Sequence, residues 1–457
     1  MGRAVLPSAF LAAVCAAQAV AAGGFIGIDR DAEGRWWLTD SDGRRTLERG
    51  VGYATPRGWI NNSTGRRPYG ESVKSKYASP DEWAEKTVSR LGEWGFDTFG
   101  SDSAPCVRHR GMKHTILLRM GSMFAATNQA SGCWICPRAS DNCSAFPNVF
   151  SPEFAPWCRA RAEKLCRPNR NDRDLTGYFI DNELAWWGER YKGGKLVWVR
   201  DGTTLVDAVA VLPPEHTARK ALAKFVAERG LSSCVLATNM PLTVKEAFLS
   251  LVAERYFATT AEAIRAADPN HLVMGCRFAG VFGAHPVVWQ AAGRYCDVVT
   301  VNMYPTVDLD GAGPITVNHP AEKKFVDAVN ALTRLQRAAG KPVIITEWSF
   351  PSLDSGLPCK KGAGQRVKTQ GERAKAVAAF VRTFASLPFV VGCDWFMWTD
   401  CPNMGEPGND GEDCNYGLVN AADEPYGVVV ETFARLNREA ERLHASGNAG
   451  KPRTDGN

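Results

Sequence analysis

Short apolar runs alternate with longer helical patterns from residue 46 to residue 445. The runs fall at 50–53, 97–100, 115–120, 176–180, 272–276, 298–303, 343–346 and 390–395, and they are rich in Val, Ile and aromatic residues. Compact runs of this kind are the pattern of strands buried on both faces. Between them, Ser79-Pro80-Asp81-Glu82 opens a helix with a cap, a proline at the first position and an acidic first turn, and Gly95 ends it. Further helices are predicted over 243–267, 322–339, 372–387 and 424–444. Eight strands, each followed by at least one helix, predict an α/β fold: a (β/α)8 TIM barrel over 46–445. The rival is a doubly wound open sheet, which brings a glycine-rich phosphate loop after its first strand, and Gly50-Val51-Gly52-Tyr53 is no such loop. Segments 122–150, 184–213 and 349–368 are long loops on the side where barrel active sites form. Residues 23–45 predict a small N-terminal β-hairpin capping the barrel, and 446–457 a disordered tail.

Composition narrows the class without naming a function. The chain has 457 residues, 45% hydrophobic and 23% charged, which excludes collagenous, coiled-coil and disordered proteins. Its 54 basic and 49 acidic residues are interspersed and leave a net charge of +5. With no charge run, nucleic acid and anionic membrane are poor partners. Residues 1–22 carry Arg3, an apolar alanine-rich stretch and Ala19-Val20-Ala21, the pattern of a signal peptide. That predicts a secreted or periplasmic protein with no membrane association after cleavage, since no other stretch of about 18 apolar residues follows. Oligomeric state leaves no mark.

Export permits disulfides. Of 14 cysteines, Cys15 leaves with the signal, so an odd number remains. Cys133, Cys136, Cys143, Cys158 and Cys166 crowd one region and read as staples on a long loop. The alternative, a metal held by Cys133, Cys136 and Cys143, lacks the second half of a zinc pattern. Cys401 and Cys414 bracket another loop, and Cys276, Cys296 and Cys393 read as core thiols. His109, His114 and His285 show no metal-ligand spacing, so no metal and no cofactor are expected.

Candidate chemistry lies at two strand ends. Residues 177–188 read Gly-Tyr-Phe-Ile-Asp-Asn-Glu-Leu-Ala-Trp-Trp-Gly, and 342–350 read Pro-Val-Ile-Ile-Thr-Glu-Trp-Ser-Phe. An acid at the C-terminal end of a barrel strand points into the mouth, so Glu183 and Glu347 face one pocket from the fourth and seventh strands. Such a pair suits glycoside cleavage, in which one acid protonates the leaving oxygen and the other attacks carbon. Glu183 must hold a proton, which burial beside Trp186 and Trp187 and repulsion from Glu347 favour. Glu347 must stay charged, with Arg277, Tyr304 and Asn182 as candidate donors. Strict alternation would put Asn182 on the wall opposite Asp181 and Glu183 unless the strand ends or bulges there. Asp181 reads as a structural residue of the lumen. Asn302 and Tyr304 end the sixth strand, and Trp186, Trp187, Trp348 and Trp398 are candidate platforms for sugar faces.

Asp181-Asn182-Glu183 and Thr346-Glu347-Trp348 resemble the acid/base and nucleophile motifs of clan A retaining glycoside hydrolases. More narrowly, residues 177–188, 272–279, 370–373, 391–398, 415–420 and 423–426 resemble the β-agarases of glycoside hydrolase family fifty. The resemblance implies retention of configuration, with carboxyl groups about 5–5.5 Å apart. It further implies Glu183 as acid/base, Glu347 as nucleophile, a Tyr304 hydroxyl on the nucleophile, and a β-linked, agarose-type galactan as the polysaccharide or oligosaccharide substrate. The N-terminal third matches little, and the cysteine-rich insertion departs from the family. Another β-glycan as substrate, or a non-catalytic glycan-binding barrel, remain the alternatives.

Overall fold

All eight apolar runs become strands of one parallel sheet, and one of them is split in two. The computed structural model describes residues 24–127, 132–136, 145–186, 191–192, 195–196, 203–231, 240–311, 313–319, 322–403 and 411–447. Across the sheet the strands are Leu272–Val273, Leu175–Phe179, Lys113–Leu117, Thr98–Phe99, Glu48–Val51, Val390–Trp395, Val343–Trp348, Val299–Asn302 and Phe278–Ala279. Every neighbouring pair is parallel. The two edge strands belong to a single stretch, 272–279, so the sheet curls round until its edges meet in one segment of chain. Gly275 and Arg277 interrupt that segment with φ of +64° and +46°. It stays bonded on both sides, because the Gly275 carbonyl accepts from Ile180 and the Arg277 N–H donates to Thr300 Oγ1.

Helices cover the outer face. Ser79 caps Pro80–Glu93 through the Glu82 N–H, and the Glu82 carboxylate returns to the Ala78 N–H, a reciprocal pair that fixes the start. Leu242–Ala267 lies against Phe154–Leu165 and Pro286–Tyr295, and Gln370–Ala385 against Gly427–Ser446. No helix among the described residues is long and apolar enough to cross a membrane.

Three expectations change. The N-terminal region is a three-stranded antiparallel sheet of Gly27–Arg30, Trp36–Thr39 and Arg45–Thr46 rather than a two-stranded hairpin. It seats Ile26 and Leu38 against Leu272, Met274, Val298, Ile344 and Val391, which closes the end of the curled sheet where the strands begin. The helix expected over 322–339 starts only at Ala328, where the Asp327 side chain accepts from Asn330; Lys324–Asp327 instead pairs with Thr316–His319. No disulfide joins described residues. Cys393 is half-buried, while Cys158, Cys166, Cys276 and Cys296 are buried thiols. Residues 1–22 and Cys143, the side chain of Cys136, and 448–457 of the expected tail lie outside the described residues.

The expected long loops carry short elements. Met120–Thr127 is a helix, Trp134–Cys136 pairs with Phe146–Pro147, and Thr204–Ala210 is another helix.

Candidate active site

Backbone strain gathers where the strands end. Tyr53, Asp102, Arg119, Glu183 and Arg277 all have φ between +46° and +59°. They follow the first four strands and split the fifth. Left-handed backbone at a non-glycine residue costs on the order of 1–3 kcal/mol, and such strain concentrates at functional sites. At Glu183 it solves the alternation problem. The strand stops at Phe179, and the turn over 180–183 sends Asp181 outward and brings Asn182 and Glu183 to the mouth. Asp181 is structural, but not in the lumen. Its carboxylate accepts from the N–H groups of Gly121 and Ser122, from Ser122 Oγ and from Tyr256 Oη, so it anchors the start of the helix Met120–Thr127 in the outer layer.

Glu347 occupies the end of Val343–Trp348, and its two carboxylate oxygens have different donors. Arg277 Nη2 donates to Oε1 at 2.7 Å and Tyr304 Oη donates to Oε2 at 2.8 Å. Arg277 also donates to Asn182 Oδ1 at 2.7 Å and to the Thr346 carbonyl at 3.1 Å, and it lies 5.5 Å from the centre of the Phe179 ring. Glu183 receives Asn302 Nδ2 at 2.8 Å, and the same amide reaches Asn182 Oδ1 at 3.2 Å. Thr346 Oγ1 donates to Asn302 Oδ1 at 2.8 Å, which fixes which end of that amide faces Glu183. One connected network therefore joins Asn182, Glu183, Arg277, Asn302, Tyr304 and Glu347.

The two acids are electrostatically distinct. Burial, the Glu347 charge and Glu412 push Glu183 up to about 7, against the Asn302 amide and Arg277. Burial raises Glu347 too, but the Arg277 guanidinium and the Tyr304 hydroxyl stabilise its carboxylate. With one proton between them, Glu183 holds it and Glu347 keeps its charge beside Arg277.

Several groups here escaped the sequence reading. Tyr53 packs on Trp59 and Phe396, and its hydroxyl is held up by burial and by the Asp102 and Glu347 charges. Asp102 accepts both of its bonds from Arg119 Nη2, at 2.9 and 2.8 Å. Glu412 is a third mouth carboxyl, raised to about 7 by burial and by Glu347. A cavity of about 360 Å³ lined by Trp59, Tyr69, Asp354, Asp400, Asn420 and Tyr426 adjoins the site through Trp59.

Three of the expected indole platforms are core residues instead. Trp186 is fully buried and stacks on Phe257, Trp348 is 2% exposed and stacks on Phe380, and Trp398 is buried with its N–H on Tyr69 Oη. None offers a face to a ligand. Trp348 follows Glu347 directly, so alternation turns it into the helical layer. Trp187 lies outside the described residues.

No family model matches the chain. It is 26% identical over 441 residues to β-agarase B of Vibrio sp. (strain JT0107), a match covering 89% of this chain and 42% of that protein. To β-agarase A of the same strain it is 26% identical over 399 residues, covering 81% of this chain and 37% of that protein. The chain thus spans about two fifths of the length of these curated relatives. The solved structure of an exo-β-agarase shares the fold with a TM-score of 0.70 at 19% identity, over 93% of this chain and 66% of that one. The resemblance to β-agarases read from the strand-end motifs is borne out: the chain is β-agarase-like.

Proposed function

We propose that the curled sheet is a closed (β/α)8 barrel and that the chain is a retaining glycoside hydrolase cleaving a β-linked, agarose-type galactan. Glu347 attacks the anomeric carbon while Glu183 gives its proton to the leaving glycosidic oxygen. The covalent glycosyl–enzyme is then opened by water, from which Glu183, now a carboxylate, takes a proton. The observation that carries this reading is the division of donors: a cation and a phenol on Glu347, a neutral amide on Glu183. Asn182 spends its oxygen on Arg277 and Asn302, so it acts as a positioning residue. The names of the curated relatives support the galactan, and the signal-peptide pattern of residues 1–22 supports export to the periplasm or medium.

Agarose, neoagaro-oligosaccharides and a panel of other β-glycans, each incubated with the protein and resolved by chromatography, test the proposal. Release of short oligosaccharides from the agarose series is expected. Cleavage confined to a non-galactan would overturn the substrate, and no cleavage of any glycan would overturn the enzyme.

A further inference from the structure

At the end of the sheet remote from the glutamates, where the strands begin, two histidines and a carboxylate converge. We propose that His109, Asp172 and Asp174 form a binding site for a divalent transition metal of the Zn²⁺ class, with His114 packed behind Asp172 Oδ2. The inference does not depend on the glycosidase reading.

Its geometry is that of a ligand set. Asp172 Oδ2 lies 3.5 Å from His109 Nδ1 and 3.3 Å from His114 Nε2. Ligand atoms at Zn–N and Zn–O distances of about 2.0–2.2 Å stand about 3.4 Å apart on the edges of a tetrahedron. Oxygens of Asp172 and Asp174 and a nitrogen of His109 all lie within 4.8 Å of one another. These atoms do not satisfy each other. His114 has a side chain only 1% exposed, and neither of its ring nitrogens has a hydrogen-bond partner; Asp172 Oδ2, on a side chain 7% exposed, has none either. A buried carboxylate oxygen left unbonded is costly unless a cation takes its lone pair.

The surroundings hold the set in place. Asp172 Oδ1 accepts from the Asp174 N–H at 3.1 Å, which leaves Oδ2 facing the imidazoles. The Asp174 carbonyl accepts from the His114 N–H at 2.9 Å, so both turns are pinned to the start of Lys113–Leu117. His271 is fully engaged by the Asp268 carboxylate and the Asp172 carbonyl and steadies the Asp172 turn from behind. His109 is presented by left-handed backbone, φ +58°. Arg108 faces Asp172 and Arg173 faces Asp174, so two guanidinium groups balance the two carboxylates around the set. An imidazole with two carboxylates favours Zn²⁺ over Ca²⁺, and a site where the strands begin serves stability rather than chemistry.

The test uses the full chain stripped with EDTA and titrated with ZnCl₂ by calorimetry, with melting followed in parallel. One Zn²⁺ per chain and a raised Tm are expected. In His109→Ala, a change at an exposed side chain that leaves the fold intact, affinity should fall at least ten-fold and the Tm rise should vanish, with glycan cleavage unchanged. Co²⁺ in place of Zn²⁺ should give visible d–d bands without a thiolate charge-transfer band, which separates this set from the cysteines. Absence of binding, a thiolate band, or undiminished affinity in both His109→Ala and Asp174→Asn would overturn the site.

Discussion

Glu183 and Glu347 form a carboxyl pair at the mouth of the curled sheet, and Glu48 and Asp394 form a second pair buried within it. The second pair lies deeper, where Asp394 fills the space left by Gly50: a Cβ there would meet Asp394 Oδ1 at 2.0 Å. Both pairs are raised. Burial holds Glu48 at about 7 despite Lys113, and burial with the Glu48 charge holds Asp394 well above the carboxylate range. As carboxylates they have no donor between them, and a single shared proton turns the contact into a hydrogen bond. A perturbed carboxyl is therefore not by itself the mark of a reactive centre. The mouth pair differs in having an unequal set of donors, strained backbone that aims it, and access from outside. Glu48 and Asp394 are each 1% exposed and face only the interior.

The same isosteric change at either pair breaks or sharpens this contrast. Glu347→Gln should lower kcat by at least ~10³-fold, because a group that forms a covalent intermediate has no substitute. Steady-state release of reducing sugar measures it, and a loss under ten-fold would place the nucleophile elsewhere. Arg277→Met should lower activity by roughly 10²-fold and also change its pH profile. Arg277 lowers the Glu347 pKa, so its removal raises that pKa and moves the acidic limb of kcat/KM to higher pH. The basic limb, set by Glu183 losing its proton near pH 7, should survive.

Asp394→Asn should leave activity within ~3-fold and act on stability instead. Glu48 has a folded pKa of about 7 against an ordinary 4.5, so its stabilisation is complete below 4.5 and is lost as pH rises through 7. That loss is on the order of 3 kcal/mol. An amide at 394 removes the like charge and can donate to the Glu48 carboxylate. The fall in Tm between pH 5 and pH 8 should then be shallower than in the wild type. An unchanged slope would show that the two groups do not share a proton.

The sheet was legible because each strand is a compact apolar run, and every one of the eight runs was found to within a few residues. Glu183 and Glu347 were legible because each breaks such a run at its end. The tryptophans misled for a local reason: an indole next to a strand-end glutamate in sequence faces the other way in space, as Trp348 does against Phe380. Tyr53, Asp102 and Arg119 left no signal, since left-handed backbone at residues other than glycine has no compositional mark. His109 lies in the turn before Lys113–Leu117, His114 within that strand and Asp172 in the turn before Leu175–Phe179, and they meet only when the two strands pair. Spacing along the chain could not reveal them.

The central claim is that Glu347 bonds to the sugar. Incubation with a 2-deoxy-2-fluoro-β-galactoside carrying a good leaving group, followed by peptide mass spectrometry, tests it directly. The account predicts one fluorosugar per chain, attached to Glu347 and absent from Glu347→Gln. A label on Glu183 or Glu412, or an unlabelled enzyme that releases product with inverted configuration, would contradict it.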